Sequence, residues 1–311
     1  MARIVYCSYP TKITGGQKTI FRHVQTLREL GFDAVWRVQK NAVLQPYMDG
    51  FDWIERDGKV DPDDAVVCPD DAPSLLSRLA QRRGGRWVVF VQNHLVNALL
   101  DMPPEERDGI KLFLTGSDTA MRWIHTTFPG VHTAMVPFFV DERVFKPGPE
   151  RRPAIAYAPR KRRKELPIIK LNFRHRYPQW RDLPWLALDG ATEAQVAETF
   201  ASSTLFLSLN RLESFGMTAL EAMSSGCIAA GFPGIGGREY ATPGTGFWAP
   251  DEDCEAAVEA LAEGARLVDH GGPLLEARRA AAIEMARRWS YARFRDVLER
   301  YWSRLAPDAR L

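Results

Sequence analysis

The chain has 311 residues, more than one ordinary α/β core holds, so two domains of about 150 residues are expected. Hydrophobic residues make up 45% and charged residues 26%, an ordinary globular composition that excludes a disordered chain. The 41 basic and 39 acidic residues leave a net charge of +2, which excludes a global polyanion-attracting field and leaves only local basic clusters to consider.

Met1-Ala-Arg leads straight into Ile4-Val-Tyr-Cys, read as a first strand (Arg3 to Ser8) rather than the core of a signal peptide. A Pro/Thr/Gly loop, Pro10 to Gly16, follows. A helix pattern then runs from about Lys18 to Leu30, with Ile20, Val24, Leu27 and Leu30 on one face, stopped by Gly31. Ala34 to Val38 is the next strand, so the opening is a βαβ unit and implies a parallel sheet. Strand Ala65–Cys68, a helix from Ala72 to Arg82, strand Trp87–Val91 and short strands at 112–115 and 133–136 continue the pattern.

Lys146 to Pro153 is Pro-rich, polar and aperiodic, and is the expected interdomain linker. Beyond it come strand Ala154–Ala158, a helix around Leu166–Phe173 and strand Trp185–Leu188. Helix Thr192–Ala201, strand Thr204–Leu209, helix Phe215–Ser224 and strand Cys227–Gly231 follow. Helical segments run from Glu252 to the end, the last from Tyr291 to Leu305 with Phe294, Val297, Leu298, Tyr301 and Leu305. The four cysteines, Cys7, Cys68, Cys227 and Cys254, show neither CxxC nor metal-type spacing, which fits a reducing, cytoplasmic setting. No window approaches the roughly 18 apolar residues needed to span a bilayer, although peripheral membrane contact stays open.

The richest chemical signal lies in residues 204–240. A strand ends in the polar loop Asn210 to Ser214, and Gly216 opens a helix whose first N–H groups are free and carry partial positive charge. At the carboxyl edge of a doubly wound sheet, such a turn is a ready anion site. Glu213 precedes the helix and Glu221 lies one and a half turns inside it, two carboxylates able to accept hydrogen bonds from vicinal hydroxyls. Glu221 sits among Leu220, Ala222 and Met223, where a carboxylate ordinarily has a partner rather than a solvated life.

This stretch resembles the E-x7-E donor motif of retaining, family-4-like GT-B glycosyltransferases: Glu213-x7-Glu221, Phe215-Gly216, Glu221-Ala-Met, Gly226 and the following Gly236-Gly237-x-Glu239 all match. The resemblance implies an α/β fold of GT-B type, two facing Rossmann-like domains with parallel sheets. Residues 1–147 would form the acceptor side, 148–290 the donor domain, and 291–311 a helix packing back on the first domain. It also implies that Glu213 contacts the donor sugar where positive charge develops, and that Glu221 accepts from the ribose hydroxyls. Backbone amides of Phe215, Gly216, Met217 and Thr218 would reach sugar and phosphates, with Ser214 beside them among the donor-binding residues.

Three further places carry weaker signals. Gly15-Gly16 lies where a close backbone approach to pyrophosphate needs no side chains, and matches the family's N-terminal glycine loop in position; as a bare pair it is equally a tight turn. Arg160-Lys-Arg-Arg-Lys164, at a strand's carboxyl end, reads as a pyrophosphate clamp in competition with a solvated basic run. Arg160 is the first candidate, with Lys161 and Lys164 left as alternatives for the second cation. His94, in Gln92-Asn93-His94 after a strand, matches a histidine that the family aims at the donor sugar, and Gln92 or Asn93 could serve the same bonding. The mixed basic and aromatic residues of Lys170–Arg181 can mean single-stranded nucleic acid, but an amphipathic helix and loop is the preferred reading. Asp61-Pro-Asp-Asp64 and Asp70-Asp71 read as turn and cap chemistry, so no metal is expected.

The implied activity is metal-independent transfer of a sugar, with retention, from a UDP- or GDP-linked donor to a glycan, lipid-linked or small-molecule acceptor. No other cofactor is expected. The rivals are a GT-B sugar-nucleotide epimerase and a non-catalytic nucleotide-sugar-binding module.

Overall fold

The computed structural model describes residues 2–11, 15–81, 86–95 and 98–311. Residues 12–14 of the expected glycine loop and Arg82 of the second expected helix lie outside them. The chain divides into two compact units, Met1–Phe138 with Phe294–Leu311, and Phe139–Arg293.

The first unit alternates strands and helices: β1 (Ile4–Ser8), α1 (Gly15–Glu29), β2 (Ala34–Val38), β3 (Ile54–Arg56), β4 (Ala65–Pro69), α2 (Pro73–Ala80), β5 (Arg86–Val91), α3 (Pro104–Arg107), β6 (Leu112–Thr115), α4 (Asp118–Thr127) and β7 (His132–Met135). The strands form one sheet in the order β3-β2-β1-β4-β5-β6-β7, parallel at every pairing. β1 and β4 are buried along their whole length, as continuous apolar runs in parallel sheets usually are. The order reverses beside β1, so the crevice at the carboxyl ends of β1 and β4 is where this topology receives ligands.

α1 buries Ile20, Val24 and Leu27 as expected, and with them His23. That histidine is fully enclosed, 3.0 Å from the Tyr6 hydroxyl through Nδ1, and burial pushes its pKa down to about 3. Its unfolded value is near 6.5, so between those values the unfolded chain binds a proton that the folded chain does not. Stability therefore falls as pH drops from about 6.5 towards 3. His23→Gln, which keeps a polar group but does not titrate, is expected to flatten that slope in melting temperatures measured from neutral to acidic pH.

The second unit contains β8 (Arg152–Tyr157), α5 (Glu165–Arg176), β9 (Trp185–Ala187), α6 (Glu193–Ser202), β10 (Ser203–Leu209), α7 (Met217–Ser224), β11 (Ile228–Phe232), α8 (Gly234–Gly237), β12 (Gly246–Trp248), α9 (Cys254–His270) and α10 (Gly272–Arg287). Its sheet runs β12-β11-β10-β8-β9, again parallel throughout. β8 and β10 are direct neighbours, with Ile155 beside Leu205 and Tyr157 beside Leu207. The chain order reverses between them, making their carboxyl ends the switch point of this sheet. α11 (Tyr291–Leu305) ends the helical series, and from Phe294 onward it clusters with the first unit.

One expectation needs correction. Lys146–Pro153 is not the divide, which falls at Phe138/Phe139. Phe145 packs its ring on Phe200 and accepts from the Ser224 hydroxyl at 2.7 Å, while Arg151 donates to Ser203 O at 2.7 Å. Arg152 and Pro153 already belong to β8. Proline density there reports an exposed path, not a lack of contacts. In α11 the buried residues are Tyr291, Phe294, Leu298 and Trp302, with Val297, Tyr301 and Leu305 only partly covered. No helix among the described residues is long and apolar enough to cross a membrane.

Candidate functional site

The loop leaving β10 is fixed from below by its own neighbours. The Asn210 carbonyl accepts from Arg162 Nε at 2.9 Å, and the Asn210 amide donates to the Tyr240 hydroxyl at 3.2 Å. Tyr240 is fully enclosed and donates from that hydroxyl to the Gly216 carbonyl at 2.6 Å. Burial raises its pKa far above the usual phenol value, with the nearby Glu213 charge adding to the shift, so it remains a donor.

Gly216 takes φ 82°, a left-handed conformation that side chains resist, and caps the amino end of α7. α7 therefore begins at Met217, two residues later than expected, and Phe215 lies in the preceding turn. Phe215 is buried against Tyr240 and Trp289, 5.7 and 5.4 Å away between ring centroids. Ser214 is buried too, while Met217 and Thr218 are partly exposed at the helix end. Glu221 is 8% exposed within an apolar α7, as the sequence implied.

The glycine-rich stretch after β11 has a definite task here. Gly236 donates its N–H to the Glu213 carbonyl at 3.0 Å, and a Cβ on Gly236 would come within 2.0 Å of the Ser214 carbonyl oxygen. The backbone of α8 is thus the floor on which residues 213–215 rest, and only glycine allows that approach.

Across the switch point, residues following β8 meet this loop. Lys161 Nζ lies 3.2 Å from Glu213 Oε1, and an Arg160 guanidinium nitrogen lies 3.3 Å from the same oxygen. Arg160 is 69% exposed and Lys161 29%, so the lysine is the more firmly seated of the two. Lys164, the alternative, is exposed at the start of α5 and forms no ion pair with Glu213. Arg162, unremarked in the sequence, is fully buried. Besides Asn210 it holds Asp251 at 3.2 Å and Glu252 at 3.1 Å, and its guanidinium carbon sits 3.9 Å from the Phe232 ring centre. The basic run is therefore neither a solvated face nor a uniform clamp: Arg160 and Lys161 face Glu213, Arg162 braces the sheet, and Arg163 pairs with Asp189.

In the first unit, Gly15 and Gly16 form the first turn of α1 rather than the loop before it. Gly15 is exposed, with open space where a side chain would stand. His94 follows β5, half-buried, 5.9 Å from Trp123 between rings, and burial lowers its pKa. The turn before it is held by Asp70, whose buried carboxylate accepts from the Gln92 and Asn93 N–H groups at 3.2 and 3.4 Å. Asp70 is thus a loop anchor, in keeping with the turn chemistry read from the sequence.

Residues 188–278 match the family of glycosyl transferases, group 1. That stretch contains the Asn210–Gly216 loop, α7 and the glycine-rich floor. An α-1,6-glucosyltransferase of Actinobacillus pleuropneumoniae serotype 7 (strain AP76) is 34% identical over 109 residues. The aligned part spans 33% of this chain and 33% of that protein. Among solved structures, a sucrose-phosphate synthase from Thermosynechococcus elongatus superposes with TM-score 0.69 at 11% identity, covering 99% of this chain and 100% of the other. A trehalose-6-phosphate synthase, studied for glycosyl transfer with retention, gives TM-score 0.67 at 12% identity, covering 98% and 99%. At such identities the likeness establishes the fold, which is GT-B: α/β, with two Rossmann-like units built on parallel sheets.

Proposed function

We propose that this protein is a glycosyltransferase that moves a sugar from a UDP- or GDP-linked donor to an acceptor hydroxyl with retention of configuration. The observation that carries the reading is the meeting of Glu213, Arg160 and Lys161 at the switch point beside the amino end of α7. Cations and a helix terminus there suit a departing diphosphate, and a carboxylate beside them suits sugar hydroxyls and the positive charge of an oxocarbenium-like transition state. The family match over the same loop supports transfer rather than epimerisation.

In this reading the chain's own groups do the work. Arg160, Lys161 and the first N–H groups of α7 take up the charge of the leaving diphosphate, with no metal required. Glu213, buttressed through its carbonyl by Gly236, faces the sugar. Glu221 accepts from ribose hydroxyls, and His94 and Gly15-Gly16 are the candidate substrate contacts of the first unit. The acceptor class is a glycan, a lipid-linked sugar or a small molecule, and the setting is cytoplasmic.

A thermal-shift screen with UDP, GDP, ADP, dTDP and their sugars tests the reading, because a ligand that binds only the folded state raises the melting temperature. Stabilisation by one nucleoside diphosphate, followed by acceptor-dependent turnover that EDTA leaves intact, is the expected result. Turnover without an acceptor, or loss of activity to EDTA with recovery on adding manganese, would contradict it. A second expectation concerns the cations. Lys161→Ala and Arg160→Ala should each weaken nucleoside-diphosphate binding by about 10-fold or more while barely changing nucleoside binding, since only a charge-assisted phosphate contact is lost. Calorimetric titration of both ligands checks it.

A further inference from the structure

The other end of the donor-unit sheet carries a second cationic feature, which the reading above does not use. α5 leads from the carboxyl end of β8 back to the amino end of β9. Its later turns and the segment entering β9 border an open surface pocket of about 680 Å³, within the roughly 300–1,000 Å³ range of small-molecule sites. Lys170, Arg174, His175 and Arg181 line it, with Asp182 on the same wall. None of these four basic side chains has a carboxylate partner among the described residues. Arg176, in the same helix, does: it pairs with Glu259.

Cations in a last helical turn answer the partial negative charge of its free carbonyls, and Arg174 and His175 serve that purpose. Lys170 lies before that turn and Arg181 beyond the helix, so the dipole does not explain them. Burial first, and then the neighbouring Arg174, lower the Lys170 pKa. The Lys170 ammonium rests 5.3 Å from the Trp185 ring centre. Two donors on residues that line the cavity, Arg174 Nε and Trp185 Nε1, are buried with no acceptor among the described residues, an uncommon condition for buried polar atoms.

Base stacking is not what this place offers. Phe173 and Trp180 are buried and stacked on each other, 6.0 Å apart, and the Tyr177 hydroxyl is committed to Glu259 at 2.6 Å. A track for single-stranded nucleic acid needs exposed aromatic faces in series. What remains is a compact cationic pocket with one indole wall.

The geometry points to a second anion site at the amino edge of this sheet, taking the phosphate group of a small molecule between Lys170, Arg174 and Arg181. Arginine forks and a lysine match the oxygens of a phosphate, and the two orphaned donors belong to residues of the same lining. The site is separate from the Asn210–Gly216 loop, at the opposite edge of the strands, and stands whether or not the donor reading holds.

The test titrates inorganic phosphate, and separately glycerol 3-phosphate, into the full chain at low ionic strength. Binding should fall about 10–100-fold in Arg174→Gln/Arg181→Gln, the loss expected for removed charge-assisted contacts. Lys170→Ala should weaken it in the same direction. The event should persist in Arg160→Gln/Lys161→Gln, while UDP or GDP binding persists in Arg174→Gln/Arg181→Gln. Tighter binding of glycerol 3-phosphate identifies a phosphate ester as the natural ligand, and equal binding identifies free phosphate; either supports the site. No binding of either probe at millimolar concentration, or binding lost only in Arg160→Gln/Lys161→Gln, overturns it. Binding of a single-stranded oligonucleotide abolished by Arg174→Gln/Arg181→Gln, with neither phosphate bound, overturns it in favour of nucleic acid.

Discussion

Replacing Glu213 by alanine is expected to lower kcat by a factor on the order of 10²–10³, the effect of removing other preorganised electrostatic groups. The donor KM should not rise with it. Glu213 Oε1 is shared by Arg160 and Lys161, and deleting the carboxylate leaves both cations free for the diphosphate. Ground-state donor binding is then maintained or tightened while the developing positive charge on the sugar loses its counterpart. Glu221→Ala has the opposite signature. Ribose carries no changing charge, so its contact is nearly uniform between ground and transition states. The donor KM should rise about 10–100-fold with kcat little changed, as for loss of hydrogen bonds to a charged group. Glu221 is buried in α7, so Glu221→Gln and a melting curve accompany it to separate folding from binding. Steady-state kinetics at varied donor concentration decide the matter. An intact kcat in Glu213→Ala with an abolished one in Glu221→Ala would reverse the assignment, and no change in either would remove the donor site from this loop.

Much of this architecture is legible in the sequence because parallel strands buried on both faces are written as unbroken apolar runs. β1, β4, β5, β10 and β11 are found this way to within about two residues, the usual precision of element boundaries. The two strands that escape notice have a common physical character. β3 and β12 are three-residue strands at the two sheet edges, one largely polar and the other opened by glycine, and short edges leave no periodic signal. His23 and Trp302, outside the apolar faces read from the sequence, are also buried, both beside Tyr6 of β1. The candidate site is divided in the same way. Asn210 to Gly216 declares itself locally, through turn residues and a glycine before a helix. The meeting of Glu213 with Lys161 does not, since these residues are far apart in the chain and come together only because β8 and β10 are adjacent strands.

Arg162 shows the limit most sharply, and leads to the second large expectation. In the sequence it is one of five consecutive basic residues. In the fold it is fully buried and ties together the carboxyl ends of four strands: its own β8, β10 through Asn210, β11 through Phe232, and the Asp251-Glu252 turn after β12. Arg162→Met keeps the length but removes the fork. The buried Asn210 carbonyl then loses its donor, and Asp251, Glu252 and Glu165 lose a shared cation, although Glu252 is 55% exposed and Arg238 and Arg211 still pair with these carboxylates. The net loss should be about 2–4 kcal/mol, below the full cost of breaking an ion pair buried on both sides. Arg162→Lys should recover only part of it, because one ammonium cannot serve three acceptors arranged for a planar fork. Arg163→Ala, next in the chain, removes only an exposed pair with Asp189 and should stay within about 0.5 kcal/mol of wild type. Urea unfolding of the three variants measures the contrast. Since Arg162 positions the Asn210 carbonyl at the root of the Glu213 loop, Arg162→Met should also weaken nucleoside-diphosphate binding at temperatures where the protein is still folded. Equal stability of Arg162→Met and Arg163→Ala would return the whole basic run to the solvated face that its composition suggests.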